Sequence, residues 1–274
     1  MGALYLVATP IGNLEDITAR ALRLLREARL IAAEDTRHTR QLLAHFDIHT
    51  PLTSYFEHNK LTKLDSILAA LDSGDVALVS DAGTPGLSDP GYELVRAALD
   101  AGHTVVPVPG ASALLAALVA SGLPTDAFVY LGFLPRKASD RQRLLASVAD
   151  EPRTLVAYES PHRLLDALSD VDATLGDRPL AVARELTKLH EEIFRGRASE
   201  ARAHFSAKDI RGEITLVIAG LREEPAQPPD EARLRESIAV LLDDGMKPRE
   251  AARFVADLYG LPTREIYKLV SGKR

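Results

Sequence analysis

The chain has 274 residues, 46% hydrophobic and 26% charged, which suits one large or two ordinary globular domains and excludes a disordered or fibrous protein. Lys and Arg number 33 against 39 Asp and Glu, a net charge of −6, so any nucleic acid must be held by local basic patches. Cysteine is absent, which excludes disulfides, thiolate zinc sites, a cysteine nucleophile and iron–sulfur chemistry.

Short apolar runs alternate with helical patterns along the first half, the rhythm of βαβ units around a mostly parallel sheet. Residues 3–8 read as a buried strand, 17–30 as an amphipathic helix, 30–33 as a second strand and 37–46 as a second helix. A helix over 60–72 stops at Gly74 before a strand at 76–79; helices over 92–101 and 111–120 flank a strand at 103–106. Gly122-Leu123-Pro124 is a hinge, and the two lobes are expected to meet around residues 120–125. In the second half, strands are expected at 128–131, 154–158, 180–184, 191–194 and 213–218, with helices near 140–149, 161–169 and 199–205. Two strands without a helix between them imply a mixed sheet. The proline-rich 223–229 is a linker, followed by helices over 231–242, 248–259 and 263–270 that read either as a helix-turn-helix unit or as a cap on the second lobe. The expected boundaries are therefore 1–121, 122–222, the linker 223–229, and a helical domain at 230–274.

No GxGxxG, Walker A, HExxH or GxSxG pattern occurs. Instead, three glycine- and proline-bearing loops follow strands: Thr9-Pro10-Ile11-Gly12-Asn13, the twelve residues from Ser80 to Gly91, and Val108-Pro109-Gly110-Ala111-Ser112-Ala113. Such loops at the carboxyl edge of an open α/β sheet present backbone groups to a small polar ligand. Charged clusters also sit at strand ends: AEDTRHT at 33–39, YESPHR at 158–163 and ARELTKLHEE at 183–192. Each is equally readable as a helix cap with a solvated ion pair. His45, His49 and His58 have no paired spacing, and no metal site is expected. No apolar run approaches the roughly 18 residues of a membrane helix, and MGALYLVATP is unlike a secretory leader, so a soluble cytoplasmic protein is expected.

Taken in order, VATPIGNLEDIT, AAEDTRHT, SDAGTPGLSDPG, PVPGASA, GFLPRK, YESPHR and ARELTKLHEE closely resemble a bacterial family of 16S ribosomal RNA 2′-O-ribose cytidine methyltransferases within the tetrapyrrole methylase superfamily. The resemblance covers nearly the whole chain. It implies two α/β domains with S-adenosylmethionine in the cleft between them, a small C-terminal helical domain, a homodimer, and 16S ribosomal RNA or the small ribosomal subunit as partner. Carried over by position, the cofactor contacts are Pro10, Gly83, Thr84, Pro85, Ser88, Ser112, Ala113, Glu159 and Leu186. The first loop and the residues Glu159 and Leu186 depart from the superfamily's usual Gly-x-Gly-Pro-Gly-Asp, Met and Gly, in the direction of the ribosomal RNA branch.

A ribose hydroxyl needs a base to take its proton, and Asp35, Glu159, Glu185 and Lys188 are all candidates, with nothing in the sequence to choose among them. Arg37, Arg163 and Arg184 are expected to hold flanking phosphates. Arg136-Lys137, with Arg141 and Arg143, reads as a basic stretch beside the cleft. Lys247 and Arg249 open a second one, where seven basic residues oppose three acidic ones over 247–274. Rival readings are a tetrapyrrole or other small-molecule methylase, and a helix-turn-helix regulator that senses a small effector.

Overall fold

The computed structural model describes residues 2–207, 209–221, 231–259 and 261–271. By packing, the chain divides into two units, residues 1–221 and 222–274.

The first unit contains two five-stranded sheets. In the first sheet, β1 (Ala3–Val7), β2 (Leu30–Ala33), β3 (Leu52–Ser54), β4 (Val76–Val79) and β5 (Thr104–Val108) run parallel in the order β3-β2-β4-β1-β5. The period-two alternation of β4 decides what each face buries. Ala77 and Val79 pack with α1 (Ala19–Glu27) and α2 (Thr36–His45), whereas Val76 and Leu78 pack with α3 (Lys60–Ser73) and α4 (Tyr92–Asp100). Thr18 caps α1 by accepting from the Ala21 N–H at 3.1 Å, so that helix starts after the expected residue 17. The strand β3 was not expected from the sequence; three residues after Pro51 are too few to display an alternation.

The second sheet is mixed, as its sequence implied. The order is β6-β7-β10-β8-β9, with β6 (Phe128–Phe133) parallel to β7 (Thr154–Glu159). The strand β10 (Ile214–Ile218) runs antiparallel to both β7 and β8 (Pro179–Arg184), and β9 (Glu192–Arg197) closes the edge. One face is covered by α6 (Ala138–Ser147), α7 (Leu164–Leu175) and α8 (Ala198–Ser206). The helix over Leu164–Leu175 runs past the expected residue 169 and stops at Gly176.

The other face is covered from the first half of the chain. Leu114, Ala117 and Leu118 of α5 (Ala113–Ala120) pack on Val156, Ala181 and Val217. Thus α5 follows the first sheet in sequence and belongs to the second by packing. That contact also brings the carboxyl ends of β1, β4 and β5 to face those of β7 and β8.

Among the described residues, the second unit has three helices, α9 (Glu231–Asp243), α10 (Pro248–Tyr259) and α11 (Thr263–Ser271). Leu234, Ile238, Ala252, Val255, Ala256 and Ile266 form a core of their own. The linker read at 223–229, and Lys273 and Arg274, lie outside the described residues.

Candidate functional site

Between the two sheets lies a cleft of about 350 Å³, within the usual range for small-ligand sites. The first sheet supplies Ile11, Glu34, the loop residues 81–84 and 87–89, Ser112 and Ala113. The second supplies Phe133, Tyr158, Glu159, Ala183, Leu186 and residues 212–215. These loops meet because all of β1, β4 and β5 run the same way, so their connections emerge on one edge.

Two of those connections are bonded to each other. Thr9 N–H donates to the Gly83 carbonyl at 2.9 Å and Gly83 N–H donates to the Thr9 carbonyl at 3.0 Å. Gly83 sits at φ +79°, a conformation L side chains resist. Ser112 caps α5, accepting from the Leu115 N–H. Ser88, Glu185 and Thr187 hold positive φ values of 64°, 51° and 66° without being glycine. Ser88 is on the cleft wall, and Glu185 and Thr187 flank the wall residue Leu186, so strained backbone brackets the cleft, as it does at functional sites.

The electrostatics of the cleft are acidic. Burial, then the neighbouring Asp81, raises the Glu34 carboxyl. Burial, then Glu34, pushes Asp89 up to about 7. Burial likewise raises the Tyr158 hydroxyl, whose ring stands 5.4 Å from that of Tyr130; the Tyr130 hydroxyl lies 2.6 Å from Ser88 Oγ.

Glu159 is the buried charge of the second sheet, 2% exposed. Its Oε1 accepts from the Ser160 N–H at 2.6 Å and pairs with the Arg163 guanidinium at 2.6 Å, but its Oε2 has no partner. Burial raises this carboxyl against the pull of Ser160 and Arg163. A buried acceptor left unpaired costs about 1–3 kcal/mol, and this one belongs to a side chain on the cleft wall. With Glu34, Asp81 and Asp89 on its wall, the site suits a compact ligand that carries positive charge.

Of the expected cofactor contacts, Gly83, Thr84, Ser88, Ser112, Ala113, Glu159 and Leu186 all line the cleft. Pro85 is buried within its loop and is not on the wall, and Pro10 lines a second, adjoining cavity. Of the four candidate bases, Glu159 alone is on the cleft wall. Asp35 caps α2 and grips Arg37 through both oxygens, at 3.2 and 2.7 Å, which holds its carboxyl well below the usual range. Lys188 donates to Glu185 Oε1 at 2.8 Å and to Glu213 Oε2 at 3.2 Å. Burial alone would lower the Lys188 ammonium, but these two carboxylates outweigh it and raise its pKa. Burial would raise Glu185, yet Lys188 and the Glu213 N–H bring it below the ordinary value.

The candidate RNA contacts divide similarly. Arg163 is held by Glu159, Ser160 Oγ and the Leu134 carbonyl, and Arg184 by Glu192 at 2.9 Å. Arg37 keeps its ion pair with Asp35 while 85% exposed. Arg136 and Lys137 are exposed, and so are Lys247 and Arg249 in the second unit. The expected basic stretch beside Arg136 is corrected at one position. Arg141 is 3% exposed and bound to Asp170 at 2.6 Å, so it braces α6 against α7 and takes no part in the surface charge. Sequence reasoning missed Asp89 and Tyr158 as wall residues, although both lie inside motifs it singled out. Among the described residues, no group of three or more His, Cys, Asp or Glu side chains could hold a metal ion, and no helix is long and apolar enough to cross a membrane.

Two facing α/β layers with a cleft at their carboxyl edges define the class. The family Tetrapyrrole (Corrin/Porphyrin) Methylases matches residues 3–202. Uroporphyrin-III C-methyl transferase from Thermus thermophilus, solved with S-adenyl homocysteine, has the same fold: TM-score 0.55 and 23% identity over 80% of this chain and 97% of that one. A diphthine synthase of known structure superposes with TM-score 0.59 at 16% identity, over 80% and 90% of the two chains. Closer in sequence are proteins called ribosomal RNA small subunit methyltransferase I. That of Synechocystis sp. is 52% identical over 98% of this chain and 97% of its own length; that of Escherichia coli O157:H7 is 46% identical over 97% and 94%. The chain belongs to the ribosomal RNA small subunit methyltransferase I family of tetrapyrrole methylases.

Proposed function

We propose that this protein transfers the methyl group of S-adenosylmethionine to the ribose 2′-hydroxyl of a cytidine in 16S ribosomal RNA, in the cytoplasm. The observation that carries the cofactor half is the acidic cleft where the glycine-bearing loops of the first sheet meet the second, with Glu34, Asp81 and Asp89 on its wall. The RNA half rests on relatives of that name, matched over nearly the full length.

S-adenosylmethionine, when bound, supplies a methyl carbon made electrophilic by a sulfonium. Gly83, Thr84, Ser88, Ser112, Ala113, Glu159 and Leu186 hold it, with Pro10 and Pro85 fixing the loops behind them. Glu34, Asp81 and Asp89 give the wall a negative field that favours a cation. The ribose hydroxyl must give up its proton, and a carboxylate of this chain takes it. Glu159 and Asp89 both line the cleft, and Asp89, at about 7, is the better matched to neutral pH. Lys188 and Glu185, locked as an ion pair, orient the loop instead, and Asp35 orients Arg37.

Arg37, Arg136, Lys137, Arg163, Arg184, Lys247 and Arg249 contribute the phosphate contacts, the last two from a helical RNA-binding domain at 230–274. The α/β domains are 1–121 and 122–222. A homodimer would cover the apolar side chains of α5, where Leu115 and Val119 are 51% and 71% exposed. The test is mass mapping of ribose methylation in small-subunit RNA after incubation with the protein and isotopically labelled S-adenosylmethionine. A labelled 2′-O-methylcytidine is expected. Methylation of a porphyrinoid instead, or none of RNA, overturns the proposal.

A further inference from the structure

Next to the cleft is a second cavity of about 420 Å³, bounded by the first loop, by α2 and by Lys188. Ile11, Asp81, Ala82 and Glu213 line both spaces, so the two share a wall. An acceptor hydroxyl must reach the methyl donor in line, at about 3 Å, and the rest of its nucleoside must occupy space contiguous with the donor's cleft. This cavity is such a space. It is too small for a duplex and ample for one nucleoside.

Its lining has the chemistry of base recognition. His38, Gln41, Leu42 and His45 lie at i, i+3, i+4 and i+7 on α2 and so share one face of the helix. The opposite face, through Leu43, is sunk in the core. Among the described residues, the side chains of His38, Gln41 and His45 make no hydrogen bond or ion pair; His45 only rests edge-on against Phe46, at 4.7 Å. An amide and two imidazoles can donate and accept, as the Watson–Crick edge of a base requires. Pro10, Leu14 and Leu42 add the apolar surface on which a ring can lie. The Lys188 ammonium, kept charged by Glu185 and Glu213, supplies the one cation on the lining.

We propose that this cavity receives a single nucleoside extruded from RNA, its base read by His38, Gln41 and His45 and its ribose turned toward the wall shared with the cleft. The inference rests on the RNA methyl-transfer reading above. Extruding a base costs its stacking and pairing, least where the nucleotide is already single-stranded.

The experiment uses full-length protein, small ribosomal subunits lacking the modification, and subunits carrying uridine in place of the target cytidine. Two variants change exposed side chains only: Gln41→Ala with His45→Ala, and Gln41→Trp, which fills the cavity. Calorimetry with S-adenosylmethionine accompanies the kinetics. Both variants are expected to raise KM for subunits at least tenfold while the donor Kd stays within twofold. The alanine variant is also expected to lower the cytidine-to-uridine ratio of kcat/KM at least tenfold, a shift that mere tethering of RNA would not produce. Unchanged KM and base preference in both variants would overturn the nucleoside cavity, and so would a parallel loss of donor affinity in both. A wild-type protein that binds the donor but leaves subunits unmodified overturns the functional reading itself, and the two failures are told apart by that control.

Discussion

Lys188 lies across Gly12, so close that a β-carbon at residue 12 would overlap Lys188 Cγ. The contact joins the first loop of one sheet to a loop of the other, and it depends on the missing side chain and on a backbone at φ +153°. Gly12→Ala is expected to destabilise the protein by about 1–3 kcal/mol through overpacking. Lys188→Ala removes the obstructing stem, so the double variant should be less destabilised than the summed singles, by about 0.5–3 kcal/mol. Denaturant melts of the four proteins measure the coupling, and strict additivity would show that the two residues do not press on each other.

The Asp89 carboxyl carries a pH signature. Burial, Glu34 and Asp81 push it to about 7, whereas an unfolded aspartate titrates near 4. The folded chain therefore binds the extra proton between about pH 4 and 7, and this group's contribution to stability falls as pH rises through that window. Asp89→Asn should flatten the melting temperature there. If Asp89 takes the hydroxyl proton, turnover at saturating donor and subunits rises through about pH 7 in the wild type and loses that limb in the variant. An unaltered profile would return the role to Glu159.

Glu159→Gln keeps the shape and removes the charge that holds Arg163 at 2.6 Å. Leaving a half-buried guanidinium beside the cleft without its carboxylate should weaken S-adenosylmethionine binding by about tenfold, or roughly 1.4 kcal/mol. Calorimetry reads this directly.

Arg141 and the exposed pair Arg136 and Lys137 should separate cleanly. Arg141→Ala strands Asp170 in the interior and is expected to cost about 3–5 kcal/mol of stability, with the salt dependence of RNA binding intact. Alanine at Arg136 and Lys137, or at Lys247 and Arg249, should leave the melting temperature within a degree or two. For every phosphate deprived of its cation, the slope of log affinity against log salt should fall by roughly 0.7–0.9. Filter binding across a salt series distinguishes the two behaviours.

Most elements of the first sheet were legible because buried parallel strands are short apolar runs punctuated by glycine and proline. β3 was not, since three residues carry no periodicity. The helix α5 was legible as a helix but not as a partner of the second sheet, because chain order says nothing about which layer covers which. Loops at the site announced themselves through Gly83, Pro85 and Ser112. Which charges face the cleft did not, because Asp35 with Arg37 and Glu185 with Lys188 are local pairs that satisfy each other. Asp89 gains its character only from burial beside Glu34, a neighbour 55 positions away in the chain.

The reciprocal bonds between Thr9 and Gly83 make the two loops a single latch plate. Neither strand-end segment can swing aside without breaking both links at once. The two connections therefore open only together.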